Sequence, residues 1–409
     1  MTLFTELPIR AYLQERLSAN QFINPTPVQE AALPPALAGS DILATAQTGT
    51  GKTLAFLLPI MEHLLARKPE GIAALVLVPT RELAMQVVAQ YDALRGRKLP
   101  AAAQIVGGLS EKAQIQSVRS GARLVVATPG RLEDLTGRRL LNLASVKVLV
   151  LDEADRMLDM GFIQAIRRIV ALLPRQRQTM LFSATLDAAV AHLIHDYLKD
   201  PVRVAIGSVT RPVESVRLHA YEVANDQKLA LLQRLLSDES GRTLVFARTK
   251  RGTERLAQKL VRDGFAAGMI HGNRSQSQRT AALTDFQRGR TRLLIATDVA
   301  ARGIHVDDIA HVINYDLPEA AEDFVHRVGR TGRAGAQGKA STFFAPQDRR
   351  EVSKLERTLS IKMERMVVTD GLEREQRVAA VNTSDYVPRQ VAPGSRMVSL
   401  PGEVLQRYA

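Results

Sequence analysis

Short runs rich in Val, Ile and Leu recur at 74–78, 124–127, 146–151 and 180–182, and again at 243–246, 293–296 and 311–313. Between them lie helix-length segments at 81–95, 162–173, 250–262 and 277–287, with apolar residues at i and i+3 or i+4. Such runs read as parallel strands covered on both faces by the helices that join them. The fold class expected is therefore α/β, with doubly wound parallel sheets. The alternation breaks once, over 200–212, where two prolines and a Gly-Ser pair leave no period. This predicts a first domain at 1–206, a linker at 207–212, a second domain at 213–370 and a loosely ordered extension at 371–409.

Composition narrows the partners. Of 409 residues, 55 are Lys or Arg and 42 are Asp or Glu, so the net charge of +13 favours polyanions such as nucleic acid. Aromatic residues make up only 4% and Trp is absent, so contacts to a nucleic-acid backbone are expected rather than base-stacking platforms. With no cysteine there is no disulfide framework and no thiolate metal site. Glu6 and Pro8 stand where a secretory leader needs apolar residues, and Pro59 interrupts the longest apolar run. A cytoplasmic protein with no membrane contact is the expectation.

Two local patterns carry phosphate chemistry. Ala46-Gln47-Thr48-Gly49-Thr50-Gly51-Lys52-Thr53 follows the apolar stretch 42–44 and opens a helix-like segment. Backbone N–H groups in such a turn converge on phosphate oxygens, and the helix dipole adds to their pull. Lys52 would neutralise the outer phosphates and the Thr53 hydroxyl would ligate Mg²⁺. The strict pattern has Gly where this chain has Ala46. One hundred residues on, the run 146–151 ends in Asp152-Glu153-Ala154-Asp155. A carboxylate at a strand tip beside the loop can hold Mg²⁺ through Asp152, and Glu153 can orient an attacking water. A solvated acidic turn is the alternative, disfavoured by the upstream loop.

Taken in order, these and further motifs resemble the DEAD-box RNA helicases over nearly all of 4–333. Phe4 and Phe22-Ile23-Asn24-Pro25-Thr26-Pro27-Val28-Gln29 are similar to the family's glutamine motif. Pro79-Thr80-Arg81-Glu82-Leu83-Ala84, Gly107-Gly108 and Thr128-Pro129-Gly130-Arg131 resemble its RNA motifs, and Ser183-Ala184-Thr185 its coupling motif. Gln276 with Arg279, then Ala296-Thr297-Asp298-Val299-Ala300-Ala301-Arg302-Gly303, then His326-Arg327-Val328-Gly329-Arg330-Thr331-Gly332-Arg333, match in the second half. The family's own loop carries Ala at the position of Ala46. Within the family, the short two-domain layout resembles bacterial RhlE-like enzymes.

The resemblance implies two tandem RecA-like domains and RNA-stimulated ATP hydrolysis that opens short duplexes. A nucleotide-gated RNA clamp is the alternative. It places Lys52, Asp152, Glu153, Arg330 and Arg333 in catalysis, the two arginines acting as fingers spaced one helical turn apart. Phe22, Gln29, Thr48, Gly49, Thr50, Gly51, Lys52, Thr53, Asp298 and Gly303 would bind ATP. Gln29 would read the adenine edge and Phe22 would stack on it; the plainer alternative makes them an exposed helix residue and a core anchor. RNA would contact Pro79, Thr80, Arg81, Gly107, Gly108, Thr128, Pro129, Gly130, Arg131, Gly272, Arg279 and Thr297. Asp155, Ser183, Thr185 and His326 would couple the two sites, and Arg327 is expected to be a charged helix face. His305 stands where the family has an Asp on the ATP ribose, which implies a weaker hold on the sugar. A monomer is expected, with RNA as partner; ribosomal precursor particles and RNA-decay factors stay open.

Overall fold

The computed structural model describes residues 3–46, 50–66, 71–186, 188–205, 215–301, 306, 308–332, 337–368, 372–373, 397–400 and 404–407. The first sheet comprises β1 (Ile42–Thr45), β2 (Ala74–Leu77), β3 (Ala103–Ile105), β4 (Leu124–Ala127), β5 (Val148–Leu151), β6 (Gln178–Ser183) and β7 (Val202–Ala205). The second comprises β8 (Val216–Glu222), β9 (Arg242–Phe246), β10 (Ala267–Ile270), β11 (Leu293–Ala296), β12 (Ile309–Asn314), β13 (Gly338–Phe344) and β14 (Glu364–Met366). Their spatial orders are β3-β4-β2-β5-β6-β1-β7 and β10-β11-β9-β12-β13-β8-β14, and every pairing in both is parallel.

Successive strand residues feed opposite cores. Ala74 and Val76 pack in one cluster while Leu75 and Leu77 pack in the other; Leu244 and Val245 divide the same way in the second sheet. Helices cover both faces, which is why these strands are continuous apolar runs rather than alternating ones. Helices Arg81–Arg95 and Lys250–Arg262 fall at the expected residues. No helix among the described residues is long and apolar enough to cross a membrane.

Three expectations need correction. Within the stretch 200–212, where the alternation was expected to break, Val202–Ala205 is a strand: inside the expected first domain, it pairs in parallel with β1 and closes the edge of the first sheet. Strands β3, β8, β10, β13 and β14 were not foreseen. Gln104 interrupts the first, β8 alternates polar and apolar residues, Gly268 weakens β10, Lys339, Ser341 and Thr342 break the apolar run of β13, and the last is a three-residue edge. Inside the extension expected to be loosely ordered, Met397–Leu400 pairs with Val404–Arg407 as an antiparallel ribbon. Most of that extension lies outside the described residues.

Away from the strand ends that carry the motifs, the second domain buries a polar triad. His311 Nδ1 lies 2.7 Å from Glu239 Oε2, and its Nε2 is 2.8 Å from Ser341 Oγ. Lys339 pairs with the same carboxylate. His311 and Ser341 are almost fully enclosed, so the triad has no access to a substrate. Burial opposes the Glu239 charge, but the His311 and Lys339 contacts outweigh it and hold the carboxyl down to about 2. A depressed carboxyl contributes stability that is complete above its unfolded pKa of about 4.5 and is lost as pH falls toward 2. The contribution is on the order of 2–3 kcal/mol. In urea melts between pH 5 and 2.5, the wild-type second domain should lose this increment and Glu239→Gln should not. Parallel loss in both proteins would refute the assignment.

Candidate functional site

The candidate residues gather at the carboxyl ends of the strands, where open α/β sheets bind ligands. From β1 the chain turns into helix Lys52–Ala66. Thr50, Gly51, Lys52 and Thr53 are described; Thr48 and Gly49 lie outside the described residues. Lys52 is buried, and its Nζ donates to the Ala46 carbonyl at 3.1 Å. Gln29 is buried too, with both ends of its amide engaged: Nε2 donates to the Gly51 carbonyl at 2.8 Å and Oε1 accepts from Thr26 N–H at 2.9 Å. It is thus neither an exposed helix residue nor an idle amide; it ties the cap of helix Pro27–Leu37 to the phosphate loop. Gly51 permits the contact, since at its φ of +92° an added Cβ would lie 2.4 Å from Gln29 Nε2. Phe22 is half-buried against the first core.

At the tip of β5, Asp152 Oδ1 accepts the Glu153 N–H at 3.0 Å. Burial pushes the Asp152 carboxyl up to about 6, with Lys52 pulling against it and Glu153 adding to it. Glu153 is buried and held in the left-handed region at φ 52°. Asp155 Oδ2 accepts the N–H groups of Ala184 at 3.0 Å and Thr185 at 3.1 Å, so the acidic tip is tied to the segment leaving β6. Ser183 Oγ accepts from Thr185 N–H at 3.3 Å.

The second domain closes on this tip. Arg156 Nη1 reaches Asp323 at 2.9 Å across the seam. Helix Ala321–Val328 is capped at Gly329, so Arg330 lies beyond it, on a turn. Burial lowers the Arg330 pKa, with Glu153 opposing and Arg156 adding, which puts Arg330 in the field of the acidic tip. Arg333, Gly303 and His305 lie outside the described residues. Arg327 is not a charged helix face. It is a buried side chain whose Nε and Nη2 donate to Asp298 at 2.5 and 2.7 Å, and whose Nη1 donates to Asn314 Oδ1 and the Asp316 carbonyl. The Asp298 carboxylate, expected at the nucleotide, is taken up by this fork. His326 Nδ1 is buried and has no hydrogen-bond partner among the described residues.

A second site crosses the same seam. A cleft of about 260 Å³ is lined by Pro79, Thr80, Arg81, Gly107, Thr128, Gly130 and Arg131 from the first domain, and by Gly272 and Arg279 from the second. Nine expected RNA residues therefore share one cavity. Gly108 serves the approach of Arg81, because at φ +77° its Cβ would fall 2.1 Å from Arg81 Nη1. Thr297 is buried at the end of β11, beside the cleft residues Val299 and Ala300. Burial and then Arg279 pull the Arg81 pKa below the ordinary value, against the pull of Glu82 and with a further decrease from Arg131. Three guanidiniums therefore share the cleft, Arg279 and Arg131 paired with Glu82 and Glu111.

Glu82 holds the seam shut beneath them. Its carboxylate accepts from Gln276 Nε2 at 3.1 Å and pairs with Arg279 at 2.9 Å, both from the other domain. Neither Glu82 nor Arg156 had been singled out. Glu82 sits inside a quoted motif, but no local spacing reveals partners 194 residues away.

A phosphate-type loop with a buried lysine and a buried acidic tip facing an arginine of a second domain, beside a cationic cleft built from both, define a nucleotide-driven protein acting on a polyanion. The comparisons make the class specific. The DEAD/DEAH box helicase family matches residues 26–193 and the helicase conserved C-terminal domain matches 227–335. A DEAD-box ATP-dependent RNA helicase, CshA of Geobacillus kaustophilus, is 39% identical over 93% of this chain and 82% of its own length. Saccharomyces cerevisiae Dbp5 bound to RNA and ADP BeF3 superposes with a TM-score of 0.80 at 31% identity, covering 89% of this chain and 95% of that one. The DEAD-box helicase Mss116 bound to ssRNA and UDP-BeF gives a TM-score of 0.83 at 28% identity, covering 90% and 81%. The chain belongs to the DEAD-box ATP-dependent RNA helicases, with two tandem RecA-like domains.

Proposed function

We propose that ATP lies across the seam between the loop at 50–53 and Arg330, and that RNA lies in the cleft between Arg81, Arg131 and Arg279. The observation that carries this reading is that each site draws charged groups from both domains, so each ligand favours the closed arrangement and assists the other. Lys52 would move from the Ala46 carbonyl to the outer phosphates. Glu153 would orient the attacking water, and Arg330 would stabilise the charge that develops as the phosphoryl group departs. Arg333 is assigned the same task from its place in the motif. Gln29 keeps one amide hydrogen and one lone pair beyond its contacts with Gly51 and Thr26, enough for an adenine edge.

Mg²⁺ fits the donor set. Asp152 is a buried carboxylate whose ionisation burial resists, and among the described residues no cluster of three or more metal-binding side chains exists. That suits an ion held by Asp152, Thr53 and the substrate's own phosphates. When bound it would neutralise phosphate charge. Loss of the γ-phosphate removes what bridges Lys52 and Arg330, and the domains part. Asp155, which grips Ala184 and Thr185, is the link we assign between hydrolysis and the RNA side.

Phosphate release with and without RNA, followed by displacement of a short duplex, tests the reading; RNA-independent hydrolysis would sink it. Backbone recognition has its own test. Arg131 lines the cleft and is paired with Glu111 at 3.5 Å. Arg131→Ala should weaken RNA binding about equally for all sequences and reduce the slope of log K against log salt by about one. An unchanged slope would remove Arg131 from the phosphate contacts. We place the protein in the cytoplasm as a monomer working on ribosomal precursors or decaying RNA. Crosslinking to RNA in cells separates those two roles.

A further inference from the structure

Glu82 and Arg279 join the two domains beneath the cleft. A second ion pair joins them beside the acidic tip. Arg156, on the helix Ala154–Asp159 that starts from Glu153, reaches Asp323 at 2.9 Å and Asp159 at 3.1 Å. Its side chain is 5% exposed, so closing the seam takes a full charge out of water, and Asp323 supplies the carboxylate that meets it. Asp159 sits on the same helix as Arg156 and carries no information about where the other domain lies. Asp323 stands in the first turn of helix Ala321–Val328, which the Arg327 fork fastens to its own domain. Arg330 is carried by that helix: its backbone N–H donates to the Arg327 carbonyl at 3.1 Å and its Nε to the His326 carbonyl at 3.2 Å. Arg156, Asp323, His326, Arg327 and Arg330 line one void of about 10 Å³, no larger than a single water.

Resting on the ATP reading above, we propose that Arg156 and Asp323 are positioning residues for hydrolysis. Their pairing fixes the register in which the domains close, and thereby sets Arg330 against the phosphate that lies between it and Glu153. A buried ion pair adds little net stability, because desolvation offsets the Coulomb gain; what it can supply is discrimination between arrangements. A closure displaced from this register would bury the Arg156 guanidinium without a carboxylate from the second domain, which is strongly unfavourable. Glu82 and Arg279 alone would leave the domains free to turn about that contact, and a second pin removes the freedom. About one helical turn separates Arg156 from Glu153, and one short helix with its cap separates Asp323 from Arg330. An error at the pair is therefore passed to both sides of the reacting phosphate.

The test uses the full chain and separates placement from closure. Asp323→Asn keeps the volume of a side chain that is 18% exposed, and Arg156→Met keeps most of the arm without its charge. Each should lower kcat for RNA-stimulated ATP hydrolysis about tenfold, less than the ~10³-fold or more that follows outright loss of an arginine finger. KM for ATP, and affinity for single-stranded RNA with a non-hydrolysable ATP analogue bound, should stay within about threefold of wild type. The double variant should be no slower than the slower single one, because both substitutions remove one interaction. Arg156→Lys keeps a cation in reach of Asp323 and should recover most of the loss. A kcat within about twofold of wild type in both single variants overturns the proposal. So do losses that multiply in the double variant, or a lysine no better than methionine. A fall in analogue-dependent RNA affinity as large as the fall in kcat also overturns it, since the pair would then only hold the seam shut. Wild-type protein without RNA-stimulated hydrolysis would instead sink the ATP reading itself, a separate result.

Discussion

Glu153→Gln should hydrolyse ATP at least a hundredfold more slowly than wild type while still closing on RNA. The carboxylate is buried at the tip of β5, one residue beyond Asp152 and in the field of Arg330. Its backbone sits at φ 52°, a conformation that costs a non-glycine residue about 1 kcal/mol or more. The fold sustains that strain while Asp152 accepts the Glu153 N–H and helix Ala154–Asp159 begins at the next residue. Glutamine preserves the shape and the backbone but cannot accept a proton or polarise water as a carboxylate does. A positioned base contributes roughly 10²–10⁴-fold. Because Lys52, Asp152 and the cleft arginines are untouched, the variant should accumulate as a long-lived, ATP-dependent RNA complex. Native-gel retention with ATP, beside single-turnover phosphate release, measures both halves. Turnover near wild type would take Glu153 out of the mechanism.

The largest expected effect on stability lies elsewhere. Arg327→Met should destabilise the second domain by about 3–5 kcal/mol, the cost of leaving the half-buried Asp298 carboxylate and two further acceptors without their donor. Arg327 is 2% exposed, forks onto Asp298, reaches the Asp316 carbonyl at 2.7 Å, and lies 5.1 Å from the Phe246 ring centroid. Removing it strands the Asp298 carboxylate, Asn314 Oδ1 and that carbonyl at once. For a domain of this size the melting temperature should fall by roughly 6–20 °C. Arg327→Met combined with Asp298→Leu should recover part of the loss, since the stranded charge goes too. A shift under about 2 °C for the single variant would mean that the ion pair is solvated in solution.

Sequence analysis located the nucleotide loop, the acidic strand tip and the RNA motifs because each is local. Gly49 to Thr53 is a backbone shape followed by a helix start, and Asp152 is an acid at the end of an apolar run. Parallel strands buried on both faces are legible for the same reason, as continuous Val, Ile and Leu runs over 74–77 and 148–151. All four edge strands were among the misses. Val202–Ala205 has three of its four residues exposed, so its hydrogen bonds to β1, not its composition, make it a strand.

Charge was misread where pairing is distant. Along the chain Arg327 is one arginine among several near a helix end; whether it faces water depends on Asp298, 29 residues before it, and on Asn314. The same holds for Glu82 with Gln276 and Arg279, and for Arg156 with Asp323, contacts that exist only because two domains meet. Residue types at short spacing set the buried central strands of each domain and the chemistry each can present, since hydrophobic period and turn geometry act over a few residues. The desolvation that raises Asp152, the fork that consumes Asp298 and the seam that brings Arg330 to Glu153 were decided by tertiary structure. Burial and Coulomb interaction depend on distance through space, and the chain alone does not state it.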